Sequence, residues 1–243
     1  MVKTIVLIHG YGFDHRIWYP VELAFESFRV VYLSLPGFGT DDPDSSYSIA
    51  SLAKKYWSEI DPIKSPVVHL AGHSMGGYVC MEMAAQQPSR VASLGLIHSH
   101  VFEDSAEKKM QRTAIIDHII NYGHDAVVRK MIPSLFAEGT NAPEIIDALV
   151  LRGLAYGANA WAYGAQAMRD RRDYSDVLKA LDVPVLMIGG EKDNAVPKEW
   201  IIKQASFPAH ARLHLYPGVG HMAMYENCAR MICDLADFYA RLK

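Results

Sequence analysis

Leu70-Ala71-Gly72-His73-Ser74-Met75-Gly76-Gly77 is the stretch on which the reading of this chain turns. An apolar run, Val67-Val68-His69-Leu70, leads into it, and a helical pattern, Tyr78-Val79-Cys80-Met81-Glu82-Met83-Ala84-Ala85, leads out. Gly72-x-Ser74-x-Gly76 between a strand and a helix sets a serine on a turn too tight for Cβ atoms on its neighbours, and glycine relieves that crowding. The turn pushes the hydroxyl out at the tip of the strand, above a helix start whose unpaired N–H groups face a developing anion. This is the pattern of a nucleophile raised on an elbow. The strand before and the helix after separate it from a chance match.

Working outward, the same alternation recurs. Upstream, Val2 to Ile8 is a β-branched run suited to a buried parallel strand, ending in His9-Gly10-Tyr11-Gly12. Val21 to Phe28 reads as a helix and Phe28 to Leu33 as a strand stopped by Pro36-Gly37-Phe38-Gly39. Ile49 to Ile60 carries apolar residues at helical spacing, and Pro66 opens the strand that bears the elbow. Downstream, Val91 to Ile97 is another buried strand. From Ser105 to Leu181 the patterns are helical only. Ser105 caps a helix that reaches Tyr122 and closes at Gly123, a second spans His124 to Ile132 and stops at Pro133, and Asn141 caps a third through Tyr156. Asn159 to Arg169 and Tyr174 to Leu181 complete the series. Strands resume at Val183 to Ile188 and Ala211 to Tyr216, with helices over Trp200 to Ala205 and Asn227 to Leu242. Strand and helix in alternation predict an α/β fold with a mostly parallel sheet of about six strands flanked by helices. The helical block predicts a cap insertion over the C-terminal edge of the sheet. The expected division is 1-98 and 182-243 for the core and 99-181 for the cap.

Composition narrows the function classes. With 243 residues, half of them apolar, the chain is long enough to bury a full core. A net charge of −3 without a Lys/Arg cluster argues against a nucleic-acid partner. No apolar run approaches the ~20 residues of a membrane span, and Thr4 to Ile8 is too short for a signal-peptide core, so the expectation is a cytoplasmic protein without a membrane partner. Oligomeric state has no signature here. Cys80, Cys228 and Cys233 have no metal-ligand spacing and read as reduced, mostly buried thiols.

Ser74, Asp193 and His221 each follow the C-terminal end of a strand, in the order Ser…Asp…His. Other acids stay open at this point: Glu191 is two residues from Asp193, and Glu103 or Asp104 follows the Val91 to Ile97 strand. His73 reads as structural, because side chains adjacent on a tight turn point apart. His98 and His100 stand at a strand end that points at the site, as pocket-lining or simply satisfied polar residues. No carboxylate or cysteine lies at ligand spacing from the histidines, so neither a metal nor another cofactor is expected.

His9-Gly10-Tyr11-Gly12, Trp18, Pro36 to Gly39, the Gly72–Gly77 elbow, Pro184 to Pro197 and Gly220-His221 together closely resemble the α/β-hydrolase superfamily. The resemblance implies a catalytic triad, a helical cap, and an oxyanion hole built from the backbone N–H groups of Met75 and Tyr11. Ser74 is then the nucleophile, His221 its base and Asp193 the acid that orients the imidazole. Relatives with a longer N-terminal part carry two extra strands, so a six-stranded sheet is implied here. A serine at the elbow disfavours the branches that use aspartate there. The implied activity is hydrolysis of a small to medium carboxylic ester through an acyl-enzyme. The alternatives on the same fold are a C–C bond hydrolase, a cofactor-free lyase or perhydrolase, and a small-molecule receptor that keeps the triad. Candidate substrate-binding residues are His9, Gly10, Phe13, Trp18 and Trp161, with Tyr156, Tyr163, Phe136 and Phe38 as further aromatics for an apolar pocket.

Overall fold

The structure, a computed structural model, describes residues 2–242. Its centre is a six-stranded, all-parallel sheet. The strands are β1 (Lys3–Ile8), β2 (Phe28–Leu33), β3 (Val68–His73), β4 (Val91–Ile97), β5 (Val185–Gly190) and β6 (Ala211–Tyr216). Their spatial order is β2-β1-β3-β4-β5-β6. The inner strands are apolar runs because helices cover both faces, and every residue of β3 and β5 is buried. The edge strands β2 and β6 are partly exposed.

The order reverses between β1 and β3, which pair through Ile8 and Gly72. Open α/β sheets bind ligands at such a switch point, outside the carboxyl ends of the strands. The His9–Gly12 turn and the Ser74 elbow leave the sheet side by side at this point.

Around the sheet lie α1 (Ile49–Ile60), α2 (Met75–Gln86), the helical block α3 (Ala106–Tyr122), α4 (Asp125–Ser134), α5 (Pro143–Leu154) and α6 (Ala158–Arg169), then α7 (Ser175–Ala180), α8 (Lys198–Ala205), α9 (Ala223–Glu226) and α10 (Cys228–Ala240). Ser48 and Ser51 form a reciprocal capping box on α1, and Trp57, Tyr56 and Leu52 bury its apolar face. Ser105 accepts from Lys108 N at the start of α3 and Gly123 closes it, as the sequence predicts.

Several boundaries differ from the sequence reading. The expected helix over Val21 to Phe28 is instead a run of 3-10 turns from His15 to Phe25, started by Asp14 and containing Pro20, which has no N–H to continue an α-helix. α4 carries Pro133 in its last turn rather than stopping before it. α5 begins after Ala142 with Pro143 in its first turn, and Asn141 does not cap it. β5 starts at Val185, not Val183. Only Cys80 of the three free cysteines is buried; Cys228 is half-buried and Cys233 exposed. No described helix is long and apolar enough to cross a membrane.

The helical block is tied to the strand ends by polar groups distant in sequence. Asp42 accepts from Ala160 N at 2.9 Å and so caps α6 from another segment. Tyr156 OH donates to the buried Asp14 at 2.7 Å. At the base of the block, Asp104 pairs with Arg171 at 2.8 Å and also with Arg112, joining the segment before α3 to the segment after α6. Arg171 donates to the carbonyls of Met168 and Phe102 and lies over the Tyr78 ring.

Candidate active site

Ser74 has φ 50° and ψ −116°, a left-handed conformation that a non-glycine residue adopts only under constraint. The constraint is close packing. A Cβ on Gly72 would lie 2.3 Å from the Gly76 carbonyl, and one on Gly76 would lie 2.2 Å from the Ile8 carbonyl oxygen. Ser74 N donates to Ile97 O at 2.9 Å, while its carbonyl accepts from Gly77 N and from Ser99 Oγ. The elbow is thus pinned between β1, β4 and α2. Ser74 itself is half-buried and stands at the start of α2.

Asp193, three residues beyond β5, is buried and has all four of its lone-pair directions occupied. Oδ1 accepts from Ala195 N and Val196 N, each at 2.8 Å. Oδ2 accepts from His221 Nδ1 at 2.8 Å and from His98 Nδ1 at 3.0 Å. A carboxylate only accepts, so both rings carry their proton on Nδ1. Burial works to raise the Asp193 carboxyl, but His221 and His98 outweigh it and hold the group well below the usual carboxylate range. The other acids are committed elsewhere: Glu103 pairs with Lys109 at the surface, Asp104 with Arg112 and Arg171, and Glu191 is exposed.

His221 N donates to Leu135 O at 2.7 Å, which fastens its loop to the helical block. Glu226 reinforces that joint by accepting from Ala137 N, Thr140 Oγ1, Gly220 N and Met222 N. Among the described residues Ser74 Oγ makes no hydrogen bond to His221 Nε2; such contacts often tighten only when substrate binds. His73, next to Ser74, turns away and donates from Nε2 to the His221 carbonyl at 3.1 Å. Burial, with His221 and His98 adding to it, keeps His73 neutral.

The remaining nominated residues divide into two groups. Tyr11, Phe13 and Trp161 gather beside the elbow: Phe13 faces the His73 ring, and Tyr11 meets Trp161 edge-to-face at 5.0 Å and donates its hydroxyl to Trp161 O. Among the described residues neither Tyr11 N nor Met75 N gives its hydrogen to a protein acceptor. Gly10 packs under the elbow, where a Cβ would come within 2.6 Å of His73 Nδ1. His9 is fully buried as a brace, accepting from Leu35 N at Nε2 and donating from Nδ1 to Gly10 O. Burial lowers its pKa to about 4, so it stays neutral. Trp18 lies apart, in the core against Phe25. A groove of about 660 Å³ between the Ser34–Tyr47 loop and α1 contains none of these residues.

Sequence spacing missed two participants. Glu226 gave no motif, because its partners are a loop and a helix end far away in sequence. The sequence offers His98 only as pocket lining or a satisfied polar residue, yet it shares Asp193 with His221. Its Nδ1, the Asp193 carboxylate and a ring nitrogen of His221 all lie within 4.8 Å of one another, donor types that also suit a metal ion.

Comparison with known proteins places the chain. The dihydrolipoyllysine-residue acetyltransferase component of the acetoin cleaving system from Pseudomonas putida is 30% identical over 91% of this chain and 59% of its own length. Its counterpart from Cupriavidus necator is 25% identical over 99% of the chain and 63% of its own, so the chain spans about three fifths of these relatives. The 2-hydroxy-6-oxononadienedioate/2-hydroxy-6-oxononatrienedioate hydrolase 1 of Dechloromonas aromatica is 25% identical, covering 98% of this chain and 86% of that protein. Among solved structures, a thermophilic esterase from Thermogutta terrifontis superposes with a TM-score of 0.93 at 26% identity, over 99% of this chain and 90% of the esterase. Residues 5–234 match the Alpha/beta hydrolase family, and the chain belongs to it.

Proposed function

We propose that this hydrolase cleaves a small to medium carboxylic ester through an acyl-enzyme, with Ser74 as nucleophile, His221 as base and Asp193 as the orienting acid. The observation that carries the reading is the Asp193–His221 hydrogen bond at 2.8 Å, buried beside a strained serine elbow. With its Nδ1 proton held by Asp193, His221 presents a bare Nε2 and takes the Ser74 proton as Oγ attacks the ester carbon. The carbonyl oxygen becomes an oxyanion, and the N–H groups of Met75 and Tyr11 receive it. One such donor contributes roughly 3 kcal/mol to the transition state. His221 then gives its proton to the departing alkoxide. A water molecule repeats the sequence on the acyl-enzyme, releasing the acid and restoring the serine.

In this reading residues 99-181 form a cap over a core of 1-98 and 182-243, and Tyr11, Phe13, Phe38 and Trp161 bound an apolar acyl pocket beneath the cap. Each buried CH₂ of an acyl chain adds roughly 0.8 kcal/mol until the pocket is full. The kcat/KM for p-nitrophenyl esters is therefore expected to rise over short chains and fall well before palmitate. A maximum at palmitate, or activation at an oil–water interface, contradicts it. A second reading, C–C cleavage of a diketone-like acid by the same residues, is favoured by the relative named as a hydrolase of a 2-hydroxy-6-oxo dioate. Turnover of such acids, with esters left inert, selects that reading.

A further inference from the structure

His98 has no part in the proton transfers above, yet it sits against the group on which they depend. It follows β4, with its N–H donating to Ile188 O at 2.7 Å, and its side chain is wholly buried. Its backbone has φ 49°, in the left-handed region. Its Nε2 has no hydrogen-bond partner although it is buried. Both features are unfavourable, and both follow from aiming Nδ1 at Asp193. A histidine merely filling space has no reason to combine them.

We propose that His98 is a positioning residue for the reaction, donating its Nδ1 proton to the same Asp193 oxygen that His221 uses. This rests on the reading of Asp193 and His221 as acid and base. Two consequences follow from the geometry. First, the carboxylate cannot rotate, because two backbone N–H groups hold Oδ1 and two imidazoles hold Oδ2. Second, His98 draws off part of the charge on Oδ2, so the imidazolium of His221 is stabilised less than by an unshared carboxylate. His98 thus moderates the acid while fixing its direction.

The titratable groups around this point are Asp193 beyond β5, His221 beyond β6, His73 at the end of β3 and, at longer range, Glu226 of α9. His98 itself stays neutral, because burial lowers its pKa more than Asp193 raises it. It therefore acts as a donor without adding a second charge beside Asp193.

The test compares wild type with His98→Asn and His98→Ala. Asn places an amide N–H close to the position of Nδ1 and tolerates a left-handed backbone. Ala removes the donor. The first readout is the low-field proton NMR spectrum, which needs no substrate. Beside the ring N–H signals of His9 and His73, wild type is expected to show two from the Nδ1–H groups that share Asp193, and His98→Asn to lose one of these two. The second is the rate of Ser74 labelling by a fluorophosphonate as a function of pH. His98→Ala is expected to label roughly tenfold more slowly, with the rising limb moved roughly one pH unit higher, the size of one lost charge-assisted hydrogen bond. His98→Asn is expected to recover most of the rate on the wild-type limb. A packing role predicts no movement of the limb, and an unmoved limb in His98→Ala at wild-type rate overturns the inference. So does a wild-type spectrum with a single Asp193-bound Nδ1–H signal, or stoichiometric metal held by His98, Asp193 and His221 in place of both protons. If His98→Ala does not fold, the wild-type and His98→Asn spectra decide. If wild type is not labelled at all, the hydrolase reading fails while the spectra still judge the shared hydrogen bond.

Discussion

The strand ends and the helical block between β4 and β5 are ordered by different means. The strand ends are fixed by backbone geometry: a Ser74 turn that excludes side chains, a parallel register that sets Ile8 beside Gly72, and short loops that each carry one polar residue to a common point. The helical block is fixed by side chains from elsewhere, with Asp42 capping α6, Asp14 holding Tyr156 and the Asp104–Arg171 pair closing its base. In the proposed reading the rigid region is where atoms react. In the same reading the region held by polar ties is where substrate enters, and substitutions in the two regions should therefore fail differently.

The largest effect is expected at the strand ends. Asp193→Asn should fold normally but lower kcat by roughly 10⁴-fold, because an amide has one accepting oxygen, which goes to the Ala195 and Val196 N–H groups and leaves an NH₂ facing His221, so its imidazole adopts the wrong tautomer. Steady-state kinetics beside thermal unfolding checks this. Near-normal kcat moves the acid elsewhere.

Asp104→Ala should do the reverse. Asp104 and Arg171 are both buried, so removing one partner leaves an unpaired charge and costs about 3 kcal/mol of stability. Urea unfolding should show that loss while kcat stays within a few-fold of wild type. A collapse of kcat with unchanged stability would restore Asp104 as a candidate acid.

Acid should also separate the regions. Burial pushes His9 down to about 4, and His100, with Arg171 adding to burial, down to about 3, whereas the unfolded chain binds these protons near pH 6.5. The unfolded state therefore holds more protons below that pH. Stability is complete above it and falls as pH drops towards 4, by on the order of 3 kcal/mol for each histidine. Burial opposes the ionised form of Asp104, but Arg112 and Arg171 keep its carboxyl below the usual range, so its contribution is lost only below about pH 3.9. Unfolding midpoints from pH 7.5 to 3 should decline first through the histidine range. A midpoint flat down to pH 4 contradicts this.

The smallest effect is expected at Asp42. Asp42→Ala removes a helix cap and should cost about 1 kcal/mol, with KM changing more than kcat. An equal fall in kcat would mean that α6 positions the reacting groups directly.

The same contrast explains what was legible in the sequence. β2, β4, β6 and α1 could be bounded because short apolar runs ended by turn residues, and apolar residues at helical spacing in α1, are local signals. Ser74, Asp193 and His221 could be nominated because each follows a strand, and position after a strand is also local. The shared hydrogen bond of His98 is not local, since its partner lies 95 residues away. Nor are the Asp42 cap on α6 or the clamp of Glu226 on Ala137 and Gly220. The 3-10 run from His15 to Phe25 differs from the expected helix for another reason: its apolar spacing suits a helix, while Pro20 removes a donor that an α-helix needs.

The central claim is that Ser74 is the nucleophile, and covalent labelling tests it most directly. Wild-type protein treated with a fluorophosphonate and digested for mass spectrometry is expected to carry one adduct, on the peptide containing Ser74, and Ser74→Ala to carry none. An adduct on another residue with Ser74 unmodified, or labelling of Ser74→Ala at the wild-type rate, would contradict the account.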